Sequence, residues 1–359
     1  MFLSIIVFIL IFSLVVLVHE WGHFYLAKRA GVRVEEFGVG MPPRIWSVKK
    51  GSTTYSINWI PFGGFVRIYG EGADERSGKQ ALVNQSPGTR LLIFGGGILM
   101  NILLGWVMLM IGFWFSMPPM VTPVERYAPD SQVQAKVVVL QVTDKSPAQE
   151  AQLQSGDYIL SVNDTPATTP AAFKQLIAAQ ANKKVKLQVE RDGTQLTLTV
   201  VPTLTKDGPV IGAWIDRSVQ KVHYVWWQVP WLALQELWQI IWLIIMAVAG
   251  LIYRLFTTAS LPSELAGPVG IAHITADMMK LGWMRMWQFV IFLSLNLGIL
   301  NLVPFPGLDG GRLLFVWLEI VRGGKKISQQ IESVVHTIGF ALLIILILAV
   351  TYKDILNWI

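Results

Sequence analysis

The sequence predicts a mainly α-helical membrane protein with four transmembrane helices, a membrane-associated β-hairpin and one inserted α+β domain. Three observations point there. Hydrophobic residues make up 53% of the 359-residue chain and charged residues only 14%, where a soluble domain carries about 25% charged residues. Four separate apolar runs are long enough to cross a hydrocarbon core of about 30 Å. Between the second and the third, the pattern changes to short alternating runs divided by turn residues, as in a soluble domain.

The first apolar run, residues 2–18, has Ser4 and Ser13 as its polar members and opens a span over about 2–28. A cleaved signal peptide is the competing reading. Against it stand the lack of a basic residue ahead of the run and of a small-x-small cleavage site after it. Lys28 and Arg29 follow the run instead, which favours an uncleaved helix with its N-terminus outside. Thr54–Trp59 and Gly64–Tyr69, joined through Pro61-Phe62-Gly63, read as a β-hairpin over about 54–70. The second span covers about 90–116 and carries Asn101 as its one strongly polar interior residue. The third covers about 284–306 and the fourth about 333–352.

A fifth apolar stretch, 237–253, is apolar enough to insert, and charge decides its place. Residues 28–90 hold ten Lys/Arg against five Asp/Glu, and 116–228 hold eleven against ten. The 310–333 connection holds Arg312, Arg322, Lys325 and Lys326 against Glu319 and Glu332. Short basic loops stay cytoplasmic, whereas long domains are exported largely regardless of charge. Four spans put both basic loops inside and the 116–228 region outside; five would put 310–333 outside. A helix over about 230–256 is therefore expected at the interface, with Trp231, Trp238 and Trp242 at the boundary. The chain divides into an N-terminal membrane part (1–118), an exported domain (125–205), a linker (206–281) and a C-terminal membrane part (282–359). The net charge of +6 forms no basic stripe, so nucleic acid is not an expected partner; the lipid bilayer is. With no cysteine there is no disulfide framework, and any metal site must use His and carboxylate ligands.

In the inserted domain, Val137–Leu140 is a short buried-strand pattern, and Pro170–Ala179 is amphipathic with Phe173, Leu176 and Ile177 on one side. Val185, Leu187 and Val189 alternate, Asp192-Gly193 turns the chain, and Leu196, Leu198 and Val200 alternate back. The string Ser146-Pro147-Ala148, Leu153, Gly156-Asp157, Ile159 and Val162-Asn163 resembles the bacterial PDZ family over about residues 125–205. That resemblance implies a groove accepting a peptide as an added strand; use as a spacer or steric gate stays open.

His19-Glu20-Trp21-Gly22-His23 is an H-E-x-x-H string. On a helix, positions i and i+4 share a face, so both imidazoles can reach one ion, with Glu20 beside them. The string closes an apolar run, where ionisable groups are costly and usually functional. A catalytic zinc needs a third protein ligand and one open position. The best carboxylate is Asp309, in Asn301-Leu302-Val303-Pro304-Phe305-Pro306-Gly307-Leu308-Asp309-Gly310-Gly311, although it also fits an ordinary loop aspartate. Four spans put it on the same side as His19 and His23; five would not.

H-E-x-x-H in the first span, the PDZ string after the second and N-x-x-P-x-P-x-L-D-G at the third resemble the bacterial site-2 protease family, RseP-like branch, over essentially the whole chain. The resemblance implies that His19, His23 and Asp309 bind one zinc ion and that Glu20 is the catalytic acid/base. Its implied substrates are transmembrane segments of single-span proteins already trimmed by another protease, such as anti-sigma factors and remnant signal peptides. The implied setting is a bacterial inner membrane, with the PDZ domain outside and the active site near the cytoplasmic side. A re-entrant β-element pairs with substrate in that family, which points to Gly64, Phe65 and Val66. Asn301 could bond substrate backbone or the oxyanion, with a helix–helix contact as the other reading. Asn101 is read as helix packing, and His273 and His336 as structural. One departure is the single PDZ domain, where the best-known members carry two. The rival from another class is a non-catalytic PDZ membrane adaptor; the intact Glu20 and full ligand set favour the enzyme. A metal transporter would need polar residues along several spans.

Overall fold

In the computed structural model, residues 2–71, 78–127, 135–167, 169–180, 182–191, 193–205, 208–219, 222–258 and 266–358 are described. The helices are α1 (Phe2–Arg29), α2 (Pro87–Phe94), α3 (Gly96–Trp114), α4 (Pro147–Glu150), α5 (Pro170–Ala178), α6 (Val229–Thr258), α7 (Pro268–Lys280), α8 (Trp283–Leu302), α9 (Asp309–Val321) and α10 (Gln329–Trp358). The strands are β1 (Val34–Lys50), β2 (Thr53–Ile68), β3 (Ala135–Val142), β4 (Tyr158–Val162), β5 (Thr165–Pro166), β6 (Val185–Arg191), β7 (Thr194–Val200), β8 (Thr203–Thr205), β9 (Gly208–Val210) and β10 (Ala213–Val219). The chain forms two compact units, Met1–Met110 with Ala233–Ala276 and Met286–Ile359, and Ile111–Leu232 with Asp277–Arg285.

Five helices among the described residues are long and apolar enough to cross a membrane: α1, α3, α6, α8 and α10. The sequence led to four, and the fifth candidate is α6. It carries a buried stripe of Val229, Ala233, Leu237, Ile240 and Ile244, while Trp231, Trp238 and Trp242 are exposed. The second apolar run is not a single helix. Ser86 caps α2 by accepting from Thr89 N–H, Pro87 fills the first helical position, and the chain re-forms a helix at Gly96.

In the first unit, α1 and α3 meet backbone to backbone: a Cβ at Gly22 would collide with the Gly96 carbonyl, and one at Gly96 would stand 2.8 Å from the Gly22 oxygen. Small residues permit this approach between membrane helices. Leu26 lies by Gly96 and Gly22 by Met100, so the two helices run antiparallel. Trp287 Nε1–H donates to Met108 O at 2.9 Å, Ser294 Oγ donates to Asn101 O at 3.0 Å, and Gly298 abuts Asn101. Thus α8 is antiparallel to α3 and parallel to α1. At one end of α10, His336 Nδ1 accepts from Gly307 N–H at 3.0 Å. About five turns on, buried Asp354 accepts from Gly267 N–H and Gly270 N–H, both at 2.8 Å, and so caps the start of α7.

The β-element differs from the expected 54–70 hairpin. Its two arms do not pair with each other; both flank β1. Val34–Val39 registers with Ile68–Gly64, and Glu36–Val39 also registers with Thr54–Ile57, while Arg44–Lys50 folds back on Asn58–Thr53. The sequence hides β1, because Glu35, Glu36, Gly38 and Gly40 are poor strand formers, yet burial alternates over residues 34–40. The bend at 61–63 is held on α1. Ser13 Oγ donates to Pro61 O at 3.1 Å and accepts from Gly63 N–H at 3.0 Å, and Phe62 stacks on Phe12 at 4.7 Å.

The second unit holds a six-stranded sheet with β10, β3, β4, β6 and β7 side by side and β5 paired to β4. Its core is built by alternate residues: Val137, Val139, Ile159, Leu187 and Val189 pack with Phe173 and Ile177 of α5. Strands β6 and β7 pair Val185 with Val200, Leu187 with Leu198 and Val189 with Leu196; Asp192 of the expected turn lies outside the described residues. Asp157, fully buried, accepts from Arg191 Nε–H at 2.6 Å and from Gln154 N–H at 2.9 Å.

Two ion pairs fix α9. Buried Arg90 of α2 bonds buried Glu319, and Arg312 bonds Glu71. Removing one partner of a buried pair strands the other charge, so Arg90→Met should cost about 3–5 kcal/mol. The double variant Arg90→Met/Glu319→Leu should recover most of it in unfolding measurements on detergent-solubilised protein.

Candidate active site

The H-E-x-x-H residues lie in the second half of α1, with His19 and His23 on the side that Gly22 presses against α3. His19 and His23 are buried. The His23 Nδ1–H donates to Ile93 O at 2.8 Å; a carbonyl only accepts, so Nδ1 carries a proton, and in the neutral ring Nε2 then keeps its lone pair. The two Nε2 atoms are 3.2 Å apart.

Asp309 reaches them from the other end of the chain. It is the first residue of α9, where the helix dipole favours a negative charge. The loop before it folds tightly onto that first turn. A Cβ at Gly310 would collide with the Val303 and Leu302 carbonyls, and one at Gly311 would stand 2.6 Å from Phe305 O. Asp309 Oδ2 lies 3.0 Å from His19 Nε2 and 3.1 Å from His23 Nε2.

The three donor atoms form a nearly equilateral triangle, and these residues make up a cluster that could hold a metal ion among the described residues. Three corners of a tetrahedron around an ion bound at about 2.05 Å lie roughly 3.3 Å apart, so the set fits an ion with a fourth position open. Space for it is kept by Gly97. A methyl group built there would stand 2.6 Å from His19 Nε2 and closer still to His23 Nε2.

Glu20 is half-buried beside this cluster. Its Oε2 accepts from Val66 N–H at 3.0 Å, so the β-element touches the carboxylate through its backbone. The sequence marked Gly64, Phe65 and Val66 for substrate but gave no sign of this bond, which involves no side chain of Val66. Gly64 is packed against Leu17 of α1, and Phe65 lies over Gly38. Asn301 sits half-buried near the end of α8. Asn101, expected to serve packing, has its carboxamide against the site, with Nδ2 3.4 Å from His19 Nδ1. His336 supports the Gly307 turn and, with Arg90, Arg312 and Glu332, lines a cavity of 370 Å³.

A membrane-helix pair of histidines meeting a carboxylate, beside a glutamate held by a backbone N–H, defines a metallopeptidase of the site-2 type. The profile of peptidase family M50 matches residues 7–346, and the chain belongs to that family. Among its relatives are the zinc metalloprotease RasP of Geobacillus kaustophilus, 30% identical over 98% of this chain and 97% of its own, and the regulator of sigma-W protease RasP of Bacillus subtilis, 29% identical over 98% of each. A PDZ domain of an SdrC-like protein of Listeria monocytogenes aligns at 24% identity with 22% of this chain and 85% of its own, with a TM-score of 0.21.

The Gly97→Ala variant puts a methyl group within 2.6 Å of the Nε2 atoms of both histidines. It should fold with unchanged helix content by circular dichroism but retain less than about a tenth of the wild-type metal, as second-sphere losses of 10–100-fold already imply.

Proposed function

We propose that the protein is an intramembrane zinc endopeptidase that cleaves transmembrane segments of single-span membrane proteins already shortened by another protease. The observation that carries this is the convergence of His19, His23 and Asp309 within 3.2 Å of one another. One zinc ion is the expected occupant, in keeping with the names of the RasP relatives. Bound there, zinc polarises a scissile carbonyl and makes water a nucleophile near neutral pH.

Glu20 takes the proton from the attacking water and returns it to the leaving amine. Val66 N–H holds that carboxylate toward the cluster. A helical substrate hides its backbone, so it must be presented as an extended strand. The Gly64–Val66 arm of β2, beside Glu20, is suited to pair with it, and Asn301 is suited to bond its backbone. Anti-sigma factors and remnant signal peptides are the proposed substrates, and the regulator of sigma-W named among the relatives supports the first.

The proposed membrane arrangement has four spans, with α6 at the interface, the inserted PDZ-type domain outside and the active site near the cytoplasmic face of a bacterial inner membrane. What supports it is helix direction. Since α1 and α8 both run antiparallel to α3, the chain between α3 and α8 crosses an even number of times. If α6 crossed once, α7 would have to bring the chain back. It has 13 residues, about 20 Å long, against a core of about 30 Å. Its first turn is also tied to Asp354, at the end of α10 away from His336. The exposed Trp231, Trp238 and Trp242 suit the membrane–water boundary.

Changing Glu20 to Gln should leave zinc content intact while lowering cleavage of a reconstituted transmembrane substrate by about 10²–10⁴-fold; undiminished cutting would overturn the assignment. Because the chain lacks cysteine, topology is open to single-cysteine labelling. In spheroplasts, Lys183→Cys should react with an impermeant maleimide and Gly324→Cys only after permeabilisation. Labelling of Gly324→Cys in intact spheroplasts would refute the four-span arrangement.

A further inference from the structure

Both imidazoles turn Nε2 toward Asp309, so each must place its Nδ1 against something. For His23 the partner is the Ile93 carbonyl. For His19 it is the side chain of Asn101, which is fully buried on α3.

As oriented, the Asn101 amide is the wrong way round for a ligand histidine. Its Nδ2 lies 3.4 Å from His19 Nδ1, while Oδ1 is buried without a hydrogen-bond partner among the described residues. If His19 offers the lone pair of Nε2 to an ion, its proton sits on Nδ1, and an amino group facing that proton sets donor against donor. Rotating the carboxamide by half a turn places Oδ1 against Nδ1–H. One rotation removes both faults, the opposed donors and the orphaned oxygen.

We infer that Asn101 is a positioning residue for the metal site: its Oδ1 accepts from His19 Nδ1–H, which fixes the tautomer and orientation of that imidazole and raises the basicity of Nε2. This rests on His19 being a zinc ligand. Outer partners of this kind typically change metal affinity 10–100-fold. Packing alone does not explain the residue. An apolar side chain would fill the space between α3 and α8 without burying an amide whose oxygen has no partner. The backbone at this point is already secured, because Ser294 Oγ donates to Asn101 O at 3.0 Å and Gly298 gives the Asn101 Cβ a 3.3 Å contact. The carboxamide is thus held at one height on α3, level with His19.

The test compares zinc release to a chelator from detergent-solubilised wild type, Asn101→Leu and Asn101→Asp. Leucine copies the shape without the acceptor, and aspartate keeps an oxygen at the same place. Asn101→Leu should release zinc roughly 10–100-fold faster, and Asn101→Asp should hold it about as well as wild type. Wild-type release from Asn101→Leu, or loss from Asn101→Asp as severe as from Asn101→Leu, overturns the inference. A His19→Ala control that keeps its zinc would instead overturn the ligand assignment beneath it. A second measurement needs no variant beyond one for signal assignment. With five histidines in the chain, imidazole-¹⁵N labelling of the zinc form can identify the His19 ring nitrogens. A proton on Nδ1 with the metal on Nε2 is expected, and the reverse tautomer overturns the inference.

Discussion

Backbone contact between α1 and α3 is the constraint on which the site depends. Gly22 and Gly96 allow the two helices to touch with no side chain between them. At that spacing Gly97 comes level with both imidazoles, Ile93 O reaches His23 Nδ1, and the Asn101 side chain reaches His19. One larger residue at the crossing would move every one of these partners. Membrane helices gain little from burying apolar surface against each other, since lipid is equally apolar, so close van der Waals approach and interhelical polar contacts must carry the association.

The second requirement is to bring a carboxylate to the same place from nearly three hundred residues away. The loop ending α8 does this by folding hard onto the first turn of α9, which is possible because positions 310 and 311 have no Cβ. Two ion pairs then fix α9, one to α2 and one to Glu71. The glycines and prolines around Asp309 therefore have separate duties. The prolines end the membrane helix, and the glycines let the chain double back so that Asp309 starts a new helix facing the histidines.

The chemistry was legible in the sequence because it rests on side-chain types at fixed spacings. His19 and His23 share a helical face by arithmetic, and the absence of cysteine leaves histidine or carboxylate for the third ligand. Contacts made through backbone were not legible. Nothing in Val66 as a residue type tells that its N–H is donated to Glu20, and Asn101 resembles any polar residue packed between membrane helices. The β-element was half-read: the arms at 54–59 and 64–69 have strand composition, but β1 runs through glutamates and glycines that disguise it. The charge distribution favours four spans, and α6 has the length and apolarity of a fifth; residue types alone do not separate an interfacial helix from a spanning one.

The separation of 290 residues between His19 and Asp309 also has a meaning in time. At roughly 5–20 residues per second, a ribosome finishes Asp309 about 15–60 s after His19. Throughout that interval the nascent chain carries two histidines and a glutamate but lacks the carboxylate that completes the set. The three-residue cluster is therefore complete only when the C-terminal part of the chain has been made and docked against the first helix.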